Sequence, residues 1–369
     1  MNITQRGLIM QRWGVVQREL MPELRSEIGP LTSKLEKVIH TLEWVRIEEF
    51  VESSWCGVGR PPHDRGALAS AFVAKAVLGL TTTTALIERL KVDRALRRIC
   101  GFSMWKRVPD PSTFSRAFDE FTQAKLAERV HEALVRQHLG QTLIGHISRD
   151  GTAIEAREAP GRKEKAEPAA QAAKAKRGRP GKDEVREPKL KTIARQLGQS
   201  LTEMLAALPM ACDRGAKCNA QGYKISWNGY KLHIDTADCG VAVSALLTSA
   251  SVHDSQTAIP LALMTQSRVT NCYDLMNAAY CSEEIRNHSR SLGHVPLIDH
   301  NPRGGEKIAF DPAETQRYKE RSQAERTNAR LKDEFGGRQV WVRGPAKVMN
   351  HLMFGLLALT ADQLLRLLR

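Results

Sequence analysis

The stretch from Tyr318 to Lys332, YKERSQAERTNARLK, contains the residue types that metal and phosphate chemistry needs. It lacks Gly and Pro and is rich in Glu, Arg, Lys and Ala, which predicts a helix. At about 100° per residue, one stripe roughly 60° wide holds four of its side chains, Tyr318, Arg321, Glu325 and Lys332. One acid between two bases suits a site for a metal ion and phosphates. The alternative is an exposed helix stabilised by ion pairs.

The order Tyr, two residues, Arg, three residues, Glu, six residues, Lys resembles the signature around the last catalytic acid of DDE transposases from bacterial insertion sequences. The following DEFGGR and the apolar segment 351–368 resemble that family's C-terminal end. The resemblance implies a ribonuclease-H-like fold with Mg²⁺ or Mn²⁺ as cofactor, in which Glu325 is the third metal-binding carboxylate. It also implies that Tyr318, Arg321 and Lys332 contact DNA near the reacting bond.

The segment LIGHISRDGTAIEA at 143–156 alternates enough to predict a strand, with Asp150 followed by a Gly turn. In the resembling family the first catalytic Asp lies on the first strand, and the Asp-Gly-Thr phrase is similar to that family's. The resemblance therefore implies that Asp150 is the first metal ligand. The alternative is that Asp-Gly forms an ordinary hairpin turn without chemistry.

The middle acid is where this chain departs from the resembling family. In that family the middle Asp follows a strand and precedes two small residues and a Tyr; here NAAYCSEE at 277–284 occupies the pattern, so Asn277 stands in its place. The middle carboxylate would bridge two Mg²⁺ ions roughly 3.5–4 Å apart, and an amide lacks its charge. We therefore expect weakened or lost catalysis. Asp254 and Asp274 are alternative ligands, although the odd offset from Asn277 puts Asp274 on the opposite strand face.

The remaining strands are predicted on both sides of these acids. GYKLHIDT, beginning at Gly229, places Lys231, His233 and Asp235 on one face, and a turn leads into a buried strand at 241–250. His253 and Asp254 follow as a polar strand end and helix cap. Residues 269–302 read as strand, helix and strand. The chain is strand-like from Gly222 onwards.

Residues 1–140 read as helices with polar joints. The Pro pair and Asp64 predict the start of one helix, Thr81 to Thr84 interrupt the pattern, and ALIERLKVDRALRRICGF predicts a second helix. PDPSTFSRAFDEF predicts a short capped helix starting near Ser112. The arrangement resembles the helical domain that precedes the catalytic domain in many insertion-sequence transposases.

Several arginines in this region suit a helix-turn-helix-like bundle in which Ser112, Ser115 and Arg116 meet DNA. A plain helical bundle used for dimerisation is the alternative. We expect the protein to be a homodimer that binds double-stranded DNA.

Residues 157–195 contain 13 Lys and Arg residues against 6 Asp and Glu residues, and so supply half of the net charge of +14. Such a composition cannot bury a core, which predicts a basic, partly disordered insertion over 157–221. Within it, Arg177-Gly178-Arg179-Pro180 resembles the core of an AT-hook, whose Arg177 and Arg179 would enter a narrow minor groove. The alternative is a charged linker that binds phosphates without specificity.

Composition narrows the class of protein. A net charge of +14 and a pI of about 9.6 favour a polyanionic partner. Seven cysteines without a CxxC pair indicate reduced thiols, and the N-terminus lacks a signal-peptide core. We expect a bacterial cytoplasmic, nucleoid-associated protein. The apolar segment 351–368 contains His351, Asp362, Gln363 and Arg366, which predicts a buried terminal helix and no membrane contact.

These observations predict an α/β protein with a helical N-terminal domain over 1–140 and a ribonuclease-H-like mixed-sheet catalytic domain over 141–369. The resemblance implies an insertion-sequence transposase that binds element ends and uses Mg²⁺ for DNA cleavage and strand transfer. Asn277 in place of the middle Asp favours a catalytically impaired copy. The alternatives are a non-catalytic DNA-binding protein derived from a transposase, and a structure-selective nuclease on the same fold.

Overall fold

The computed structural model describes residues 3–52, 62–161, 191–218, 221–302 and 305–367. Its N-terminal region is helical. Eight α-helices precede the first strand: α1 (Ile3–Val15), α2 (Met21–Ile28), α3 (Ser33–Val45), α4 (Arg65–Val77), α5 (Thr83–Val92), α6 (Arg94–Ile99), α7 (Pro111–Gln123) and α8 (Leu126–Leu139). A π-helical turn, Val16–Leu20, joins α1 to α2.

Short polar side chains set the starts of these helices. Asp64 accepts hydrogen bonds from the backbone N–H groups of Gly66 and Ala67, as its predicted capping role requires. The single helix expected after Thr84 is wrong, because Asp93 has an extended backbone and its carboxylate accepts from Leu96 N at 2.9 Å. That cap begins a new helix, so α5 and α6 are separate.

The described residues contain six strands, which form one mixed sheet. They are β1 (Leu143–Glu155), β2 (Asp213–Cys218), β3 (Lys224–Ala237), β4 (Ala242–Ser249), β5 (Thr270–Met276) and β6 (Val295–Ile298). The strand order is β2-β3-β1-β5-β6, and β4 pairs with β3. β1 is antiparallel to β3 and parallel to β5, and β6 is parallel to β5. This architecture confirms the predicted helical region followed by a ribonuclease-H-like α/β sheet.

Helices cover both faces of the sheet. On one side α11 (Ala258–Gln266) packs on β3, β4 and β5, and α12 (Glu283–Ser291) packs on α11 and β6. On the other side α14 (Ser322–Glu334) packs on β1 and β3, after the short helix α13 (Pro312–Tyr318). Coverage of both faces explains why β4 and the second half of β3 are buried at nearly every residue.

The C-terminal helix α15 (Pro345–Arg366) lies in the core. It packs against α3, α4, α7 and α8 as well as β4, and its side chains belong to the same apolar cluster as those helices. By length and composition it is the one helix among the described residues that could span a membrane, but 83% of its most apolar window is buried in the protein. The predicted buried terminal helix is confirmed.

The segment after β1 contains more regular structure than the sequence predicts. Helices α9 (Thr192–Gln196) and α10 (Leu201–Ala207) precede β2, which pairs with β3. After β1, the chain therefore returns to the sheet at Asp213, before the predicted Gly222. The expected AT-hook at Arg177 and Arg179 lies outside the described residues.

Candidate functional site

Asp150 lies in the interior of β1, on the face covered by α14. Its Oδ1 accepts hydrogen bonds from Asn277 Nδ2 at 3.2 Å and Arg321 Nη2 at 3.4 Å, and its Oδ2 accepts from Asn328 Nδ2 at 3.1 Å. Burial raises its pKa above the ordinary value; Arg321 opposes the rise, and the carboxylates of Asp254 and Glu325 add to it. The raised pKa thus reflects burial first and the neighbouring carboxylates second.

Gly151 is not in a turn, so the expected Asp-Gly turn is wrong. β1 continues to Glu155, and Gly151 pairs with His233 of β3. A Cβ at Gly151 would lie 2.9 Å from His233 Nδ1 and 3.5 Å from Asp254 Cγ. The glycine therefore lets His233 and Asp254 approach the strand beside Asp150.

Asn277 follows β5 directly and caps the 3₁₀ turn Ala278–Tyr280. Its Oδ1 accepts from Ala279 N at 2.9 Å, while its Nδ2 donates to Asp150. Because β1 and β5 are parallel neighbours in which Arg149 pairs with Met276, the end of β5 brings Asn277 to Asp150. Both polar atoms of the amide are thus in use.

The stretch predicted as one helix is divided. α13 ends at Tyr318, a 3₁₀ turn covers Lys319–Arg321, and α14 begins at Ser322. The single stripe calculated for a continuous α-helix is therefore wrong before Ser322. Ser148 Oγ donates to the carbonyl of Glu320 at 3.3 Å, which ties the 3₁₀ turn to β1.

Arg321 joins the two acids of the site. Its Nη1 donates to Glu325 Oε1 at 2.6 Å, and its Nη2 donates to Asp150 Oδ1. Burial works against its charge, yet Asp150 and Glu325 together keep its pKa above the ordinary value. The Glu325 side chain is 61% exposed, whereas that of Asp150 is 16% exposed. Arg321 thus neutralises part of the charge that the two carboxylates bring together.

Tyr318 and Lys332 lie on opposite sides of these acids. The hydroxyl of Tyr318 donates to Met276 O at 3.1 Å, at the end of β5, and burial raises its pKa to about 12. Lys332 is half-buried, and its pKa is lowered by burial and by Lys217 of β2. Among the described residues it has no hydrogen bond to either acid. Tyr318 therefore lies at the site, whereas Lys332 lies near Lys217 of β2.

The two alternative carboxylates occupy different places. Asp274 accepts hydrogen bonds from Asn271, Ser289 and His294 and is 2% exposed, on the face covered by α12. It points away from Asp150, as its odd offset predicts. Asp254 lies beside Gly151 and forms an ion pair with Lys231 at 2.8 Å.

His253 caps the 3₁₀ turn Asp254–Thr257 through its Nδ1, which accepts from Ser255 N. Its predicted capping role is confirmed.

Two residues of the site, Asn328 and Tyr280, were not predicted from the sequence. Asn328 is one helical turn after Glu325, and its buried Oδ1 has no hydrogen-bond partner among the residues that the structure describes. Tyr280 is fully buried, and its hydroxyl likewise has no partner within the described ranges. Burial, together with Asp254 and Asp150, raises the pKa of Tyr280 well above the ordinary value. The i, i+3 spacing from Glu325 could have indicated that Asn328 lies at the site. The only signal for Tyr280 was its place as the last residue of NAAY.

The donor chemistry at the site fits a divalent cation incompletely. The carboxylates of Asp150 and Glu325 and the unpartnered Asn328 Oδ1 are oxygen ligands of the kind that Mg²⁺ takes. However, within the described ranges no three His, Cys, Asp or Glu side chains converge as a metal site. Arg321 bonds both carboxylates, and Asn277 contributes no charge. Asp150 and Glu325 are the two carboxylates that contact Arg321, and Asp254 acts on the pKa of Asp150 from beside Gly151.

Arg116 lies away from these acids, on α7. It is exposed, and its Nε donates to the carbonyl of Ser112 at 3.3 Å. With Lys106 and Arg107 it lines a cavity of about 760 Å³ at the N-terminal ends of α4 and α7. The structure thus places one of the predicted DNA contacts on a separate basic surface.

Comparison with protein families gives two matches. A family model described as Transposase domain (DUF772) matches residues 23–120. A second, described as Transposase DDE domain, matches residues 143–361, which is more than half of the chain. A search of the curated proteins finds no match. The second match spans β1, the 3₁₀ turn at Asn277 and α14, and therefore includes every residue of the site around Asp150.

Proposed function

We propose that this chain, which belongs to the DDE transposases, binds the ends of its insertion sequence. We also propose that Asn277 impairs its cleavage of DNA strands. The family is one of metal-dependent enzymes of DNA cleavage and transfer. One observation carries the proposal for this chain: Asp150, Asn277 and Glu325 come from three separate elements, and Asp150 contacts both Asn277 and the Arg321 guanidinium that also binds Glu325. In this proposal Asp150 and Glu325 are the metal ligands, and Arg321 and Tyr318 contact DNA.

Asp150 and Glu325 would hold a divalent ion, Mg²⁺ or Mn²⁺, which would supply Lewis acidity for the attack of a water or a 3′-hydroxyl on the scissile phosphate. The chain's own groups prepare that site. Asp150 is held in place by two amide N–H donors, from Asn277 and Asn328. Glu325 is largely exposed and therefore accessible to DNA. Arg321 balances both carboxylates and can exchange them for a phosphate oxygen, since guanidinium binds either group in the same geometry.

Asn277 weakens this arrangement in two ways. It lacks the negative charge that an Asp at this position would contribute to cation binding. Its Nδ2 also donates to Asp150 Oδ1, and its Oδ1 already accepts from Ala279 N, so the residue occupies an oxygen of the neighbouring ligand and has one lone pair of its own left for a cation. These contacts favour an impaired copy over a fully active one.

The test is divalent-metal-dependent nicking of DNA that carries the element's terminal repeats, with the native chain and Asn277→Asp compared. We expect Asn277→Asp to nick at the repeat ends with either Mg²⁺ or Mn²⁺, at a rate at least about tenfold above that of the native chain, since one charge added near a metal is worth more than 1.4 kcal/mol. Asn277→Asp/Asp150→Asn is the matched control and should be inactive. Equal nicking by the native chain would refute the impaired site.

A second candidate is a DNA-binding protein without cleavage, which competes with an active relative for the same ends. The hydrogen bonds of Asn277 favour it, because they stabilise the site without a cation. End-specific binding by a chain that never nicks, even as Asn277→Asp, would support this candidate. If Asn277→Asp nicks DNA with a metal ion, the site is descended from a cleaving enzyme. DNA binding without cleavage is then excluded as its ancestral activity.

A further inference from the structure

Trp105 is displayed to solvent on a loop that is itself held in place. The loop joins α6 to α7, and the Trp105 side chain is 97% exposed, against 7% for Trp44 and 9% for Trp227. Phe102 packs on Phe114 at 6.3 Å before it, and Pro109 is buried after it. Because an indole has about 150–250 Å² to bury, full exposure on an anchored loop points to a partner surface.

The residues around Trp105 are basic and exposed. Lys106 and Arg107 follow it directly, and Arg116 lines the same cavity of about 760 Å³. Within the part of the chain that the structure describes, none of the three makes an ion pair. Asp64 and Asp110 also line the cavity, and the carboxylate of Asp64 is occupied by two backbone N–H groups of α4. Three bases against two acids leave the lining with one excess positive charge, which favours an anion.

α7 connects this cavity to a second one. Ser112 and Arg116 line the first, and Ser115 lines a cavity of about 500 Å³ on the other side of α7. The second cavity includes Trp341 and Arg343, which follow α14 in the chain, and Trp341 is 47% exposed. Arg107 and Arg116 thus line the cavity beside the Trp105 loop on one side of α7, and Arg343 lines the other cavity together with Trp341. This combination suits a polyanion that also offers flat apolar faces, which is the chemistry of DNA with an accessible base.

We propose that Trp105 stacks on an unpaired base at the end of the element's DNA, while Lys106, Arg107 and Arg116 bind the flanking phosphates. The proposal rests on the proposed function and adds to it a surface in the helical region, separate from the acids around Asp150. Stacking on a base is tolerant of sequence, because each base has a π face. The basic side chains supply affinity that falls with salt concentration.

The first experiment compares Trp105→Ala with Trp105→Phe. Affinity is measured by fluorescence anisotropy for a terminal-repeat duplex with one unpaired base at its end and for the fully paired duplex. We expect the native chain to prefer the unpaired base and Trp105→Ala to lose about 5- to 150-fold on that duplex, with a smaller loss on the paired one. Trp105→Phe should retain most of the preference, because it keeps an aromatic face.

The matched control is Val92→Ala, which removes an apolar side chain that is 78% exposed at the end of α5 and lines neither cavity. It should bind both duplexes as the native chain does. Equal binding by Trp105→Ala and the native chain would overturn the proposal. So would an equal loss in Val92→Ala. Circular dichroism of each variant establishes that the fold is retained.

The second experiment tests the proposed contacts of the basic side chains with DNA phosphates. Lys106→Gln/Arg107→Gln should reduce the slope of log affinity against log salt by about 2, since each phosphate contact contributes about 0.9. Arg18→Gln/Lys34→Gln removes the same charge from exposed positions of the first helices and should leave the slope unchanged. An unchanged slope in the first variant would overturn the phosphate contacts. If the native chain binds no DNA, the proposed function fails; if it binds and these variants do not matter, this inference alone fails.

Discussion

Arg149 and Asp150 are neighbours on β1, yet they belong to two different kinds of polar cluster. Arg149 points to the face of α11, where its Nε and Nη2 donate to both oxygens of Asp235 at 2.8 and 2.7 Å. Both side chains are at most 2% exposed, and Thr265 Oγ1 donates to Asp235 as well. Asp150 points to the face of α14, where its hydrogen bonds are 3.1–3.4 Å long.

The difference separates a polar pair that stabilises the core from a polar cluster whose contacts a cation or a phosphate can replace. The Arg149–Asp235 pair is bidentate and enclosed, so nothing from solvent can replace either partner. The hydrogen bonds of Asp150 are longer, and the Glu325 side chain, although its bond to Arg321 is 2.6 Å long, is mostly exposed. Such contacts cost little to break when a cation or a phosphate takes their place. One strand thus serves the core with one residue and the site with the next.

The largest effect should come from breaking the enclosed pair. Arg149→Met leaves the buried charge of Asp235 without a partner, which should lower the free energy of unfolding by about 3–5 kcal/mol. Urea denaturation followed by circular dichroism measures it. Arg149→Met/Asp235→Leu removes both charges and should recover most of the loss. A double variant no more stable than Arg149→Met would show that packing, not the lone charge, sets the cost.

Asp274 belongs to the enclosed side and allows an intermediate test. Burial raises its pKa, but His294, Arg149 and Ser289 outweigh burial, and the net pKa is lowered. A lowered pKa means that its contribution is complete above about 3.8 and is lost as pH falls through the folded value. Asp274→Asn should cost about 1–3 kcal/mol at neutral pH and make stability less sensitive to acid.

The same substitution checks the choice of ligands. In the Asn277→Asp background, Asp274→Asn should leave metal-dependent nicking unchanged, because Asp274 faces α12. A folded double variant without nicking would make Asp274 part of the catalytic set.

The smallest effect concerns the pKa of Asp150. Because burial raises it, ionised Asp150 lowers stability above the raised pKa and has no such effect below about 3.8. Arg321 opposes the rise, so Arg321→Gln should raise the pKa of Asp150 further, at about 1.4 kcal/mol per unit. The difference in unfolding free energy between each chain and its Asp150→Asn form, measured across the acid range, gives the shift. An unchanged profile would mean that Arg321 acts on Glu325 alone.

Local patterns in the sequence determined most of the architecture. Alternating apolar residues predict β1, the β3–β4 hairpin and β5, and helical spacing predicts α4, α7 and α15, because each pattern depends on residues close in the chain. The spacing of Tyr318, Arg321 and Glu325 and the departure at Asn277 were also readable, since they are differences of residue type at given positions. The roles of Asp150, Asn277 and Glu325 stay predictions.

The tertiary structure alone decided how these residues meet. Asp150 receives Asn277 from β5 and Asn328 from α14, contacts that join residues more than a hundred positions apart. The continuation of β1 through Gly151 and the 3₁₀ turn before Ser322 also depend on distant partners, His233 in one case and Ser148 in the other. Pairing of strands and packing of helices on a sheet act across the fold, so neither periodicity nor composition contains them.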